Sequence, residues 1–284
     1  MNQKPRGEKG YALIAAVVSI VIFALMALAI INATRSSAIM ASAEIERARL
    51  LAAADAGVAL AVHGLQLKDP SRRWAIDGKV RRETFEAITL DIFIEDERGK
   101  IALNLINKSE VAKMFGEFGL TGTQQETAVD GFMDWRDEDD DPRPRGAEFE
   151  TYRSKRIKPR NGELRSVGEL ALISGVGVEL AKRIAPFATV NFGSGEFDPR
   201  FASQIAIRVS TDALDASEFF ERGAPLGGGT GVRPRRPELS ISLVGRPLTI
   251  RVEARHPPDA RATRKIIVEL TGSEVRPYVV RARE

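Results

Sequence analysis

From Tyr11 to Ile31 the chain reads YALIAAVVSIVIFALMALAII, with no charged residue. At about 1.5 Å per residue that is roughly 30 Å of helix, the thickness of a hydrocarbon core. The apolar core of a secretory signal peptide is shorter, about 7–15 residues, and stops at a small-x-small cleavage site. Here the run passes without a break into helix-forming sequence, so the segment is expected to stay in the mature protein. Lys4, Arg6 and Lys9 precede it, which predicts a cytoplasmic N-terminus and a following domain on the far side of the membrane. Ser36 to Leu67 is rich in Ala, Leu, Glu and Arg, all good helix formers. Within it Leu51, Ala54, Val58, Ala61 and Leu65 recur at spacings of three and four, one apolar stripe along a helix. Asp69-Pro70 closes the pattern. Residues 11–67 are therefore predicted to form one transmembrane and stalk helix.

Strand periodicity follows. Ile88, Leu90, Ile92 and Ile94 alternate, Asp96 to Gly99 has turn composition, and Ile101, Leu103 and Leu105 alternate again, the pattern of a β-hairpin beside the stalk. From Ser109 to about Phe187 the apolar positions switch to helical spacing. Pro225 to Pro237, PLGGGTGVRPRRP, reads as a flexible loop. Alternation then returns in Leu239, Ile241 and Leu243, in Leu248, Ile250 and Val252, in Ile266, Val268 and Leu270, and from Tyr278 to Val280. The predicted class is α+β: a long N-terminal helix packed on an antiparallel sheet, with an all-helical domain inserted between its strands. The segments are a leader (1–10), the helix (11–67), a first part of the β domain (68–106), the helical insert (107–222), the Gly/Pro-rich loop (223–237) and a second part of the β domain (238–284).

Composition narrows the chemistry. The 284 residues carry a net charge of only +3, too small to argue for nucleic acid by itself. Cysteine is absent and only His63 and His256 are present, so disulfides are excluded and a zinc site would need carboxylates for most of its ligands. No nucleophile elbow or phosphate-binding loop appears, and the chain is not expected to be an enzyme.

One constellation stands out. Asp137, Asp139 and Asp141 alternate, and Glu148 lies eleven residues after Asp137, the spacing of positions 1, 3, 5 and 12 of an EF-hand loop. The sixth position, glycine in that motif, is Pro142, whose locked φ rules out the usual turn. A differently shaped loop could still bring these carboxylates to calcium, since aspartates this close repel one another unless screened. The alternative is a solvated acidic loop beside the basic run from Arg143 to Arg160. Asp134, next to Trp135, is a secondary candidate ligand.

A second pattern points elsewhere. Leu172-Ile173-Ser174-Gly175-Val176-Gly177, followed by Leu180 to Ile184, looks like a helix-hairpin-helix, which can offer backbone N–H groups to a DNA phosphate. A membrane-anchored DNA-binding protein is the rival function on this ground. The low net charge and the nearby acidic loop weigh against it, and the glycines also suit a plain interhelical turn.

A basic leader ending in Gly10, before a retained apolar run that continues as a long helix, resembles a type IV prepilin or type II secretion pseudopilin. The phrases Asp96-Glu97-Arg98-Gly99-Lys100-Ile101 with Leu103-Asn104-Leu105, Asp134-Trp135-Arg136-Asp137 with Asp139, then Arg143, Gly146-Ala147-Glu148 and Tyr152, Ser166-Val167-Gly168-Glu169-Leu170 with Ser174-Gly175-Val176, and the closing Tyr278 to Glu284 are similar to the general secretion pathway protein K family of minor pseudopilins. The similarity lapses between Phe192 and Arg236, where the fold is left open. The resemblance implies cleavage by a prepilin peptidase between Gly10 and Tyr11 and N-methylation of Tyr11. It implies calcium in the helical domain, at Asp137, Asp139, Asp141 and Glu148. It also implies an inner-membrane, single-pass protein with a periplasmic head, which assembles with the I and J minor pseudopilins and the major pseudopilin and starts or caps a periplasmic pseudopilus. No nucleic acid is expected. Most members carry glutamate at the fifth mature position, where this chain has Ala15. That carboxylate pairs with a neighbour's N-terminal amine in an apolar filament core, where an unpaired charge is costly, so a subunit without it suits the filament's end.

Overall fold

The computed structural model describes residues 8–69, 71–211 and 242–283. Helix α1 runs unbroken from Glu8 to Gln66, as the hydropathy pattern predicts. Its first half is covered by nothing among the described residues: Tyr11 is 79% exposed and the large apolar side chains from Leu13 to Ile31 are exposed. It is a helix long and apolar enough to cross a membrane. The membrane-distal half is different. Leu50, Ala53, Ala54, Val58, Ala61, Val62 and Leu65 are buried against a β-sheet. The predicted stripe is this face, with Leu50 at its edge fully buried and Leu51 half-exposed. Gly57 lets the helix approach, because a Cβ there would crowd the Val252 side chain. Past Gln66 the chain turns back, and the Trp74 N–H donates to the Gly64 carbonyl at 3.0 Å. The indole lies where a Gly64 side chain would be.

Seven strands are formed among the described residues: β1 (Arg81–Phe85), β2 (Ile88–Asp96), β3 (Ile101–Ala102), β4 (Ala188–Thr189), β5 (Pro247–His256), β6 (Ala260–Leu270) and β7 (Tyr278–Arg283). Five make one sheet in the order β1-β2-β5-β6-β7, all neighbours antiparallel. Register puts Ile92 opposite Val252 and Ile250 opposite Ile266, so one alternating set from each strand faces α1. At roughly 1.5–3 kcal/mol for each fully buried aliphatic side chain, this seam outweighs the exposed ion pairs at its rim, Arg49–Glu86 and Arg264–Asp55, each worth under about 1 kcal/mol.

The predicted hairpin is corrected by this topology. β2 pairs with β1, a strand of sequence RRETF, and with β5, not with the 101–105 segment. Ile101 and Ala102 instead form β3, which pairs in parallel with β4. Leu103 and Ile106 are buried in a second, helical core. Leu243 is half-buried on the sheet's core but outside any strand. Leu239, Ile241 and the 223–237 loop lie outside the described residues.

The helical insert therefore begins at Glu97, ten residues before the predicted boundary at 107. It contains α2 (Lys108–Glu117), α3 (Gly122–Arg136), α4 (Phe149–Tyr152), α5 (Gly177–Ile184) and α6 (Gln204–Ser210). A capping box starts α2: the Glu110 N–H donates to Asn107 Oδ1 and the Asn107 N–H to Glu110 Oε2. Met114, Phe115, Phe132, Trp135, Tyr152 and Leu170 fill the core. Helix α6 lies in the region the sequence left open; Ala206 and Val209 join the same core, and Arg208 pairs with Glu117 on α2.

Buried charge latches the two cores together where β2 ends. Asp96 and Glu97 are each 2% exposed. Arg246, before β5, donates from Nε to Asp96 Oδ2 at 2.7 Å and from Nη2 to Asp198 Oδ2 at 2.9 Å; Arg200 makes a two-pronged contact with Asp198. Burial pushes the Asp96 carboxyl above the usual range, opposed by the Arg98 N–H and Arg246. Glu97 accepts from Lys100 Nζ (2.6 Å), from Thr249 Oγ1 on β5 (2.6 Å) and from Thr189 Oγ1 on β4. Gly99 leaves room for the Phe201 carbonyl. Removing one partner from such a buried pair typically costs about 3–5 kcal/mol, because the other charge is left uncompensated. Arg246→Ala is thus expected to destabilise the protein by about 3–5 kcal/mol, and Arg208→Ala, on the surface, by under about 1 kcal/mol, as read by urea unfolding in detergent.

A candidate cation site in the helical domain

The acidic segment begins at the C-terminal end of α3 and folds back over it. Asp134 faces inward from the last turn and is fully buried. Its carboxylate accepts the Ala147 N–H at 2.8 Å, the Arg143 N–H at 3.2 Å and Arg143 Nη1 at 2.6 Å. One buried carboxylate thus organises the return of residues 143–147. Gly146 is required for this, since a Cβ there would overlap the Asp134 carboxylate. Trp135 packs edge-on against Tyr152 at 5.4 Å, and the Tyr152 hydroxyl accepts the Ser174 N–H at 2.8 Å. These contacts tie α4, and with it Glu148, to α3.

The predicted ligands arrange unequally around this frame. Arg143 Nη1 also pairs with Asp137 Oδ2, while Asp137 Oδ1 is buried without a hydrogen-bond partner. Glu148 is only 5% exposed, and neither of its oxygens has a partner. Asp139 accepts the Asp141 N–H at 2.9 Å. Asn161 Nδ2 donates to the Asp139 carbonyl and to Asp140 Oδ1. Burial raises the Glu148 carboxyl to about 7, with the charges of Asp134, Asp137, Asp140 and Asp139 adding to it. Asp141 is exposed and does not belong to that group. Arg143 responds in the opposite sense: partial burial disfavours its charge, but the hydrogen bonds and charges of Asp137 and Asp134 outweigh burial and raise its pKa.

An all-carboxylate set of hard oxygens, with a buried glutamate lacking any donor, fits a calcium-class ion in donor chemistry. Among the described residues, however, no three acidic or histidine side chains already converge closely enough to hold one. Arg143, between Asp134 and Asp137, stands in the way. Arg143 and Asp140 are the participants that spacing missed; Arg143 belongs to the family-like phrase and to the basic run, but only the return of the loop shows that it faces the acids.

Of the hairpin glycines, Gly175 serves packing. Gly175, at φ +80°, sits against the backbone of Ala128 on α3, and Gly131 of α3 lies under the Ser174 carbonyl. The segment before it, Val167–Leu172, is a 3-10 helix, and α5 has eight residues. Asn104 does related work: its side chain exchanges two 2.9 Å hydrogen bonds with the Leu164 backbone, in the manner of a strand neighbour.

Residues 97–192 match the family model of type II secretion system (T2SS) protein K. The matched span opens at Glu97, where the chain leaves the sheet, and closes just past β4. No curated protein matches the chain. Among solved structures the chain is similar to GspK in the crystal structure of the GspK–GspI–GspJ complex from the enterotoxigenic Escherichia coli type 2 secretion system. The TM-score is 0.58 at 13% identity, over 88% of this chain and 98% of that one. A likeness at that identity is one of fold. An apolar helix seated on an antiparallel sheet, with a helical domain let into it, is the architecture this chain shares with that structure. The family match is confined to residues 97–192, within the helical domain.

Between about pH 4.5, the ordinary value for glutamate, and 7 the folded cation-free protein holds a proton on Glu148 that the unfolded chain has released. This contribution is therefore most favourable below pH 4.5 and is lost as pH rises through 7. Glu148→Gln is expected to remove that decline and to raise the melting temperature at pH 8 without calcium. Thermal unfolding from pH 5 to 8 in a chelator checks it.

Proposed function

We propose that this protein is an inner-membrane minor pseudopilin that takes its place at the tip of a periplasmic pseudopilus. The observation that carries the reading is the joint presence of the uncovered apolar helix, Tyr11 to Ile31, and the protein K domain at residues 97–192. A bare apolar helix surface of this length is costly in water, and a bilayer or neighbouring helices would cover it. Lys4, Arg6 and Lys9 favour a cytoplasmic N-terminus and hence a periplasmic head. Prepilin peptidase would cut between Gly10 and Tyr11, and the new amine at Tyr11 would be methylated.

Helix packing would then drive assembly. Ala15, Ala16, Ser19, Ala24 and Ala27 allow close approach of neighbouring helices, here those of the I and J minor pseudopilins and, below them, the major pseudopilin. The similar GspK is found in a complex with GspI and GspJ. Ala15 supplies no carboxylate for a neighbour's N-terminal amine, and the helical domain adds bulk to the head; both features suit a subunit with nothing stacked above it, which would fix where the filament starts or how long it grows. Calcium would be structural, held by Asp137, Asp139 and Glu148 with Asp134 behind them, and it would neutralise these carboxylates. Asp141 would stand at the edge of that group.

Two outcomes follow. From cells expressing all the minor pseudopilins, the mature protein is expected to co-purify with the I and J components; its isolation without either would remove the tip role. Calcium at millimolar level is expected to raise the melting temperature of the wild type, and Asp137→Ala/Asp139→Ala to abolish the rise; an unresponsive wild type would remove the metal.

A further inference from the structure

The donors and acceptors around Glu148 do not balance. Asp134, Asp137 and Glu148 carry six carboxylate oxygens between them, and the charges of the first two act on Glu148. Arg143 supplies its Nη1 to Asp134 and Asp137, and backbone N–H groups of Arg143 and Ala147 complete Asp134. Asp137 Oδ1 and both oxygens of Glu148 remain buried without a partner. A planar guanidinium has its donors in a fixed fork and cannot reach oxygens on every side, whereas a spherical divalent cation can. Arg143 is the part of the pocket able to leave. Its side chain is 30% exposed while that of Asp134 is 0%, and its backbone N–H would hold Asp134 after the guanidinium had gone. A guanidinium and a divalent ion a few ångströms apart repel strongly in so dry a place, so the two exclude each other.

We infer that Arg143 is a built-in competitor for the Asp134–Asp137–Glu148 pocket, a side-chain counter-ion that a divalent cation must displace and that sets the affinity of the site. The inference rests on the calcium reading of the same loop. It explains why no metal-ready cluster exists among the described residues while Arg143 is in place. Competition also favours divalent over monovalent ions, because a monovalent ion would replace one positive charge with another. The neighbouring Arg145 differs: its guanidinium pairs with Glu126 at 2.9 Å, away from the pocket, so its removal changes the loop's charge equally without freeing the site.

Calcium titration of the detergent-solubilised full-length protein, followed by calorimetry, tests this. Arg143→Gln should bind calcium at least about tenfold more tightly than wild type, Arg143→Lys by a smaller factor, and Arg145→Gln with little change. Without calcium Arg143→Gln should melt below the wild type, and with saturating calcium it should recover to the wild-type value or above. If Arg143→Gln is unfolded without calcium, its refolding on calcium addition supports the inference, and the Arg143→Lys affinity decides its size. Binding by Arg143→Gln alone would also support it. Equal or weaker binding by Arg143→Gln, with a wild type that does bind, would overturn the competition and leave the site standing. Absence of binding in both would overturn the two together. An equal gain in Arg145→Gln would reduce the effect to general electrostatics and overturn it as well.

Discussion

Asp96 and Glu97 sit side by side where the chain passes from a sheet to a helical domain, and both are almost wholly removed from water. Two adjacent carboxylates in such a place require neutralisation from both sides of the junction. Arg246 and Thr249 supply it from the β5 side, Lys100 from the turn between them, and Thr189 from β4 in the helical domain. The orientation of the helical domain on the sheet is therefore fixed by electrostatics as well as by apolar contact. The same junction gives physical content to a recurring phrase of the sequence. In Asp96-Glu97-Arg98-Gly99-Lys100, the acids form the latch and the lysine closes it. The glycine admits the Phe201 carbonyl, and the arginine reaches across to the carbonyls of Ser194 and Gly245.

Helix α1 carries the opposite constraint. One half is seated on its own sheet, and the other is uncovered among the described residues. That uncovered half is long and apolar enough to cross a membrane, so the two halves of one helix are suited to different surroundings. The two cores of the head are joined by the buried ion pairs and hydrogen bond at the end of β2. No bond need be made or broken. The packing of the rod, the bulk of the head and the charge state of the acidic loop are the variables available to it.

Much of this was legible in the sequence, for reasons that differ by element. α1 announced itself through an unbroken apolar run and then a stripe of period three and four. β2, β5 and β6 showed alternation because one face of each is dry, and β7 because one face is half-buried. β1 did not, because RRETF is an edge strand exposed on nearly every residue, and exposed strands have no reason to alternate. The segment 101–105 alternates as convincingly as β2, but alternation reports a buried face and not which core buries it; only the β3–β4 pairing and the neighbours of Leu103 decide that. In the acidic loop, spacing identified Asp137 and Glu148 as unusual. It could not foresee that Asp134 would be the buried centre or that Arg143, out of several nearby arginines, would occupy the gap, since ion pairing is chosen by the fold of the loop. The glycine pair at 175 and 177 matched a nucleic-acid motif, yet at Gly175 the spare volume is taken by α3.

The central claim is that the apolar rod persists in the finished protein as a membrane-seated element whose N-terminus is made by peptidase cleavage at Gly10. Intact-mass and N-terminal peptide spectrometry of the protein, purified from cells with an active prepilin peptidase, addresses it directly. The account predicts a chain that starts at N-methylated Tyr11 and retains every residue to Ile31 and beyond. A chain that begins downstream of Ile31, or one found solely with Met1 intact, would contradict it.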